Sequence, residues 1–241
     1  MDVGQRLKAW HGEDWHTPRG KLIRDVVYAL DMGLTCTVAF ISGITISVIE
    51  PLIVVKAGIA EMVAGAIAIF FGAFISTKAQ VEFFHNQIER EKREIEEDPE
   101  KEREEIRQIY AEQGFQPEEI EMVVKRITAD KDRWLHFMIR EEMGLITEHF
   151  DNPYLIGLIS GISFFAGAIP PIVPLIIHRQ TRVALVESIL VTIVFLFIVG
   201  IFKTRFTKVH WLKSGMETVT LGIISVMIGF GLGRLAAGIF H

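Results

Sequence analysis

Five runs of 20 or more mostly apolar residues constrain this chain of 241 residues more than any other feature. A helix that crosses a bilayer needs about 20 such residues, because it must satisfy its backbone hydrogen bonds internally through roughly 30 Å of hydrocarbon. Val26–Ile49, Leu52–Ser76, Tyr154–Ile177, Val183–Phe202 and Met216–Phe240 all reach that length. The expected fold is an all-α membrane protein with five transmembrane helices. Only Glu50–Pro51 separates the first two runs and His178–Arg182 the third and fourth, so both pairs are expected as tight antiparallel hairpins.

The charges lie elsewhere. Of 30 acidic residues, 20 fall between Thr77 and Phe150, against 12 of the 25 Lys and Arg. That stretch carries a formal charge of −8 in a chain whose net charge is −5. The balance excludes a basic nucleic-acid binder. The single cysteine, Cys36, sits inside an apolar run and excludes an internal disulfide. The expected organisation is an N-terminal segment (1–25), spans one and two (26–76), an acidic helical insert (77–150) and spans three to five (151–241).

Positively charged short loops face the cytosol. Arg6, Lys8, Arg19, Lys21 and Arg24 precede the first run, and Lys203, Arg205, Lys208 and Lys213 follow the fourth. The opposite side holds only Lys56, Arg179 and Arg182. The N-terminus, the insert and the 203–213 loop are therefore expected in the cytosol, with His241 outside. No signal peptide is expected, because 25 polar or mixed residues precede the first run.

Gly58, Gly65 and Gly72 recur every seven residues in the second span, Gly157 and Gly161 form a GxxxG in the third, and Gly229, Gly231 and Gly233 cluster in the fifth. Such residues let helices approach closely in lipid, and packing within the chain is the expected reason for them. Pro170, Pro171 and Pro174 should break or kink the third span near its outer end.

In the insert, Gln80–Glu97 reads as a helix running on from the second span. Asp98 then caps a new helix with Pro99 at its first position, which Gly114 ends, and Pro117–Thr128 and Asp130–Met143 read as two more. The result is a cytosolic domain of three to four helices between the second and third spans. Glu91 and Glu94 lie three apart on one helical face, Glu102 and Glu105 repeat that spacing past the proline, and Met138 and Glu142 lie four apart on another helix. Side by side, such helices can present several carboxylates to one point. Oxygen-rich sites hold hard divalent ions, and a nearby Met shifts preference toward Fe2+ or Mn2+ over Ca2+ or Mg2+. The plainer reading is a solvated face of Glu–Arg pairs, since Arg90, Arg93, Arg103 and Arg107 are interleaved, and on spacing alone it has the stronger claim. His85, His136 and His149 read as surface residues.

Asp31, Glu61, Glu187 and Glu217 fall in or at the ends of the spans. A carboxylate at the bilayer centre is expensive unless it faces a polar path, and Glu61 lies close to the midplane. The first hairpin can bring Asp31 and Glu61 to one cavity, with the hydroxyls of Thr35, Thr37 and Ser42 at hand. Glu187 and Glu217, near span ends, fit an interfacial place equally well.

The stretch Ser76–Ile106 (STKAQVEFFHNQIEREKREIEEDPEKEREEI), followed by Phe137–Leu145 (FMIREEMGL), closely resembles the vacuolar iron transporter family. The resemblance continues through Arg24-Asp25, Gly33-Leu34-Thr35, Glu61–Gly65 (EMVAG), Gly167–Pro174 (GAIPPIVP) and Gly200–Thr207, and covers nearly the whole chain from Arg24. It implies a homodimer of five-span subunits exporting Fe2+ from the cytosol in exchange for protons. It also implies that Glu91, Glu94, Glu102, Glu105 and Glu142 gather metal in the insert, with Met138 as a soft neighbour, and that Glu61 is the family's second-span glutamate. Two positions depart from the family pattern. Its Asp-Gly-Leu-Thr run is here Asp31-Met32-Gly33-Leu34-Thr35, so Met32 takes the aspartate's place and Asp31 stands one residue early, about 100° of helix. The family's second-span methionine is Ile69 here, and Met32 is expected to supply the missing thioether.

The expected function is divalent-metal transport, of Fe2+ and also Mn2+, by proton antiport and without an organic cofactor. Co2+ or Zn2+ would enter the same carboxylate cage. Asp31, Met32 and Glu61 are expected along the transport path. The alternative is a non-transporting, membrane-anchored iron sensor or store. An enzyme is not expected: a ferritin-like iron oxidase needs a duplicated Glu-x-x-His, which the insert has only once, at Glu82 and His85. Short, tail-free termini favour the cell membrane of a prokaryote, with a vacuole-type membrane as the other expectation.

Overall fold

The computed structural model describes residues 19–48, 50–142, 151–178, 180–207 and 209–239. Among them are α1 (Arg19–Ile44), α2 (Pro51–Glu97), α3 (Pro99–Glu112), α4 (Pro117–Thr128), α5 (Lys131–Glu141), α6 (Pro153–Ile177), α7 (Thr181–Thr207) and α8 (Trp211–Ile239), and no strand. Helices α1, α2, α6, α7 and α8 are long and apolar enough to cross a membrane. The chain is an all-α integral membrane protein. Arg6, Lys8, His149, Arg179, Lys208 and His241 lie outside the described residues.

The chain divides into two compact units, Ile75–Asn152 and the residues on either side of it. In the flanking unit α1 is central, packing on α6, α7 and α8, while α6 also packs on α7 and α7 on α8. Backbones meet where side chains are missing. A Cβ on Gly167 would collide with the Leu30 carbonyl of α1, and one on Gly233 with the Gly43 carbonyl. Gly157 and Gly161 seat α6 against α2, where added Cβ atoms would lie 2.9 Å from the Phe70 carbonyl oxygen and 3.1 Å from that of Ala66. The seven-residue glycine series of the second span does not form one packing face. Gly65 accommodates the Phe164 ring, Gly58 makes only ordinary contacts, and Gly72 and Gly231 face open space. On the outward face of α2, Ile59, Val63, Ile67, Phe71 and Ile75 recur at four-residue intervals and are 41–61% exposed, a stripe suited to hydrocarbon and not to water.

Two expectations change. The first span ends at Ile44, not Ile49, because residues 45–47 form a turn in which the Thr45 hydroxyl donates to the Ser42 carbonyl (3.2 Å). The proline stretch does not break the third span, since α6 runs unbroken to Ile177. There the buried Ser188 hydroxyl of α7 donates to the Pro171 carbonyl (2.7 Å), a side chain of the neighbouring helix bonding the backbone within the proline stretch.

The Ile75–Asn152 unit combines the polar end of α2 with α3, α4 and α5. Its caps follow the local sequence. Asp98 accepts from Lys101 N (3.3 Å) ahead of Pro99, Gly114 takes φ 88° after α3, and Gln116 with Glu119 forms a capping box before α4. Asp130 accepts from Arg133 N (2.8 Å) at the start of α5, and Glu142 follows its last turn. The core joins Ile95, Ile106, Ile120, Val124, Ile127, Trp134 and Met138. Arg107 ties α3 to α4 by bonding both Glu104 (3.1 Å) and Glu121 (2.6 Å), but exposed pairs of this kind contribute little. Burial of the apolar core stabilises the unit more than these pairs do.

Candidate metal centre

Helical periodicity drives three carboxylates toward the core of this unit. Glu91 precedes Ile95 by four residues on α2, Glu102 precedes Ile106 by four on α3, and Glu142, at the C-cap of α5, follows Met138 by four. Residues four apart share a helical face, so each carboxylate sits beside a residue that the core claims. One oxygen from each of Glu91, Glu102 and Glu142 lies within 4.8 Å of the others. Glu91 is 2% exposed and Glu102 1%, while Glu142 is exposed at the rim. Glu91 Oε1 and Glu102 Oε2 are sealed from solvent and make no hydrogen bond among the described residues. Buried carboxylate oxygens normally have partners, so these two mark a place suited to a cation.

Electrostatics agree. Burial first, then the nearby charges of Glu142 and Glu102, push the Glu91 carboxyl up to about 8. Burial, followed by Glu105, also raises Glu102, and burial, followed by Glu105 and Glu94, raises Glu142. Glu91 and Glu102 lie close enough for each to influence the other, so the pair titrates as a unit.

The remaining sequence candidates take other places. Glu94 and Glu105 stand at the rim, each held by a cation one turn before it. Arg90 Nε is 2.9 Å from Glu94 Oε1, and Lys101 Nζ is 3.2 Å from Glu105 Oε1 and 3.8 Å from Glu102 Oε1. Met138 is fully buried in the core. The exposed His136 sets Nδ1 2.7 Å from the Asp132 carbonyl of its own helix. The solvated-face reading fits Glu89, Glu96, Glu100 and Glu104, which pair with Lys92, Lys131, Arg103 and Arg107. It does not fit Glu91 and Glu102, which are buried. Arg90 and Lys101 were legible as i−4 partners of the rim carboxylates, whereas the approach of Glu91 to Glu102 left no mark in the spacing.

In the flanking unit, the fully buried Thr37 donates from Oγ1 to Glu61 Oε2 (2.8 Å). Thr35 and Ser42 turn back to their own helix, donating to the carbonyls of Asp31 (2.8 Å) and Val38 (2.7 Å). Asp31 has one sealed oxygen, Oδ1, that makes no hydrogen bond among the described residues, and lies in electrostatic reach of Lys203 on α7. Cys36 is in reach of both Asp31 and Glu61, so the two carboxylates flank one stretch of α1. Met32 and Ile69 pack against the same apolar cluster as Met62 and Phe164. Glu187 and Glu217 are paired near helix ends, with His178 Nε2 (2.7 Å) and Lys203 Nζ (3.6 Å), partners that the sequence did not indicate. A separate apolar cleft of about 630 Å³ between α1 and α8 is lined by Cys36 and Gly43 but not by Asp31 or Glu61.

Comparison with known proteins adds a family. Residues 23–234 match the VIT family profile. The chain is 31% identical to vacuolar iron transporter 1 of Arabidopsis thaliana over 93% of its own length and 90% of that protein. It is 29% identical to the Saccharomyces cerevisiae protein CCC1 over 91% of its own length and 68% of the other. The vacuolar iron transporter of Plasmodium falciparum is 29% identical over 92% of this chain and 85% of that protein.

Proposed function

The chain belongs to the VIT family, and from that premise we propose that it is an iron transporter, moving Fe2+ out of the cytosol in exchange for protons. Two relatives are named as iron transporters, which supplies the cargo and points to transport and not to an enzymatic reaction. The observation that carries a metal-capture role is the convergence of Glu91, Glu102 and Glu142 around two buried oxygens without partners. On this reading the Ile75–Asn152 unit is a cytosolic insert between the second and third spans. Its Glu91, Glu102 and Glu142 hold the metal, Glu94 and Glu105 gather it at the rim, and Met138 is the soft neighbour. All-oxygen ligation with one thioether admits Mn2+ beside Fe2+, and also Co2+ or Zn2+, and disfavours Ca2+.

Within the membrane, Asp31 and Glu61 carry metal or protons along α1 and α2, and Met32 offers a thioether beside Ile69. Protonation of Glu61 outside releases the metal, and its deprotonation inside readies it for the next ion. The working form is a homodimer, as the family resemblance implies. The relatives named for the vacuole do not favour the prokaryotic cell membrane, and we place the chain in a vacuole-type membrane.

The test is Fe2+ uptake by proteoliposomes with a pH gradient imposed and then reversed. Metal movement that reverses with the gradient supports antiport. Tight Fe2+ binding without movement would instead support the second reading, a membrane-anchored sensor or store, which the altered Met32 and Ile69 positions favour.

A further inference from the structure

Serine and threonine side chains inside helices ordinarily donate to a carbonyl of their own preceding turn. In the spans Thr35, Ser42, Thr192, Thr218 and Ser225 all do so. Thr37 does not. Fully buried on α1, it directs its hydroxyl to Glu61 Oε2 on α2 at 2.8 Å. Their chain neighbours join one apolar cluster: Met62, next to Glu61, is buried in it with Phe164, and Cys36, next to Thr37, packs against it. In such surroundings a carboxylate depends heavily on each donor it has, and a bond to a charged acceptor is among the stronger ones. A threonine in a helix has few allowed rotamers, so the hydroxyl fixes the carboxylate and does not follow it.

We propose that Thr37 is a positioning residue for Glu61: it pins Oε2 and leaves Oε1 for the passing cation, which sets how firmly the membrane step holds Fe2+. The inference rests on reading Glu61 as a transport carboxylate. The role assigned to Thr37 is positioning and not ligation: the contact its hydroxyl makes is to Glu61, and its effect passes through that residue.

Initial rates of Fe2+ uptake in proteoliposomes, measured against Fe2+ concentration, decide the matter. Thr37→Val keeps the shape and removes the hydroxyl; it should raise KM for Fe2+ about tenfold while Vmax changes little. Thr37→Ser keeps the donor and should restore KM to within about threefold of the parent. Thr37→Ala carries the same expectation as Val and serves if the Val variant fails to insert. A hydroxyl-free variant with parental KM overturns the inference, as does a loss of rate that Ser fails to restore. Glu61→Gln, assayed alongside, keeps the two readings apart. If it transports like the parent, the role of Glu61 falls. If it is inactive while Thr37→Val is normal, only the role of Thr37 falls.

Discussion

Glu91 and Glu102 meet inside the core of the acidic unit, one from each side of the helix break at Asp98–Pro99, each with a carboxylate oxygen within 4.8 Å of the other's. The break is what lets residues 11 apart in sequence face each other, since α3 can turn back only where α2 stops. Two carboxyls in a dry place cannot both ionise without a counter-charge. On the metal-capture reading a divalent ion would supply that charge, and the neighbouring Glu142 would supply a third oxygen.

Stability of the metal-free protein should therefore fall as pH rises. An unfolded Glu titrates near 4.5, whereas folded Glu91 is pushed up to about 8. Between those values the folded state binds more protons than the unfolded state, so stability declines through this window and levels off above it. Thermal unfolding in chelator should show a Tm decreasing from pH 5 to pH 8, and Mn2+ or Fe2+ should cancel the decrease. A Tm that is flat over this range would mean that the pair is solvated.

Removing one carboxylate should move stability and metal affinity in opposite directions. Glu102→Gln keeps the shape, abolishes the like-charge conflict and deletes an anionic ligand. At pH 8 the metal-free variant should melt above the parent, while its Mn2+ affinity should drop about 10- to 100-fold, the range typical of altered metal-site shells. A solvated Glu–Arg face predicts neither change. Calorimetric titration and melting of the same preparation separate the two.

Met138 offers a test of the soft neighbour. Leu has nearly its volume, so Met138→Leu should cost less than about 1.5 kcal/mol although the residue is fully buried. Metal preference should nevertheless change: competition titrations should show Fe2+ losing ground to Ca2+. An unchanged preference would leave Met138 as a core residue only.

The sequence displayed much of this and hid part of it for physical reasons. Hydrocarbon admits few kinds of chain, so five long apolar runs translate directly into five helices. Asp98, Pro99, Gly114 and Pro117 mark helix ends through local geometry, and those ends appear where the residues place them. The metal-site candidates were less legible. The Glu-x-x-Glu spacing treats both members of each pair alike, yet burial selects Glu91 over Glu94 and Glu102 over Glu105, because only the first of each stands one turn before a core isoleucine. Likewise Thr35, Thr37 and Ser42 are equivalent hydroxyls in sequence, and only packing against α2 separates Thr37 from the others. The prolines of α6 misled for the opposite reason: a helix break was expected from the chain alone, and Ser188 on another helix bonds the backbone there.

Helix packing gives the last test, because two glycines of similar appearance should respond with opposite sign. Gly167 on α6 lies against the backbone of α1, where an added methyl group would strike the Leu30 carbonyl, and neither backbone can yield without separating the helices. Gly72 on α2 has nothing within 4 Å of where its Cβ would stand. Gly167→Ala should lower stability by about 1–3 kcal/mol through overpacking, partly offset by the better helix propensity of alanine. Gly72→Ala should gain about 0.5–1 kcal/mol from propensity alone. Melting of the two variants in the same detergent checks the pair. If Gly72→Ala proves the more damaging, that face of α2 is covered in the working protein, and a second subunit is the covering that the homodimer reading supplies.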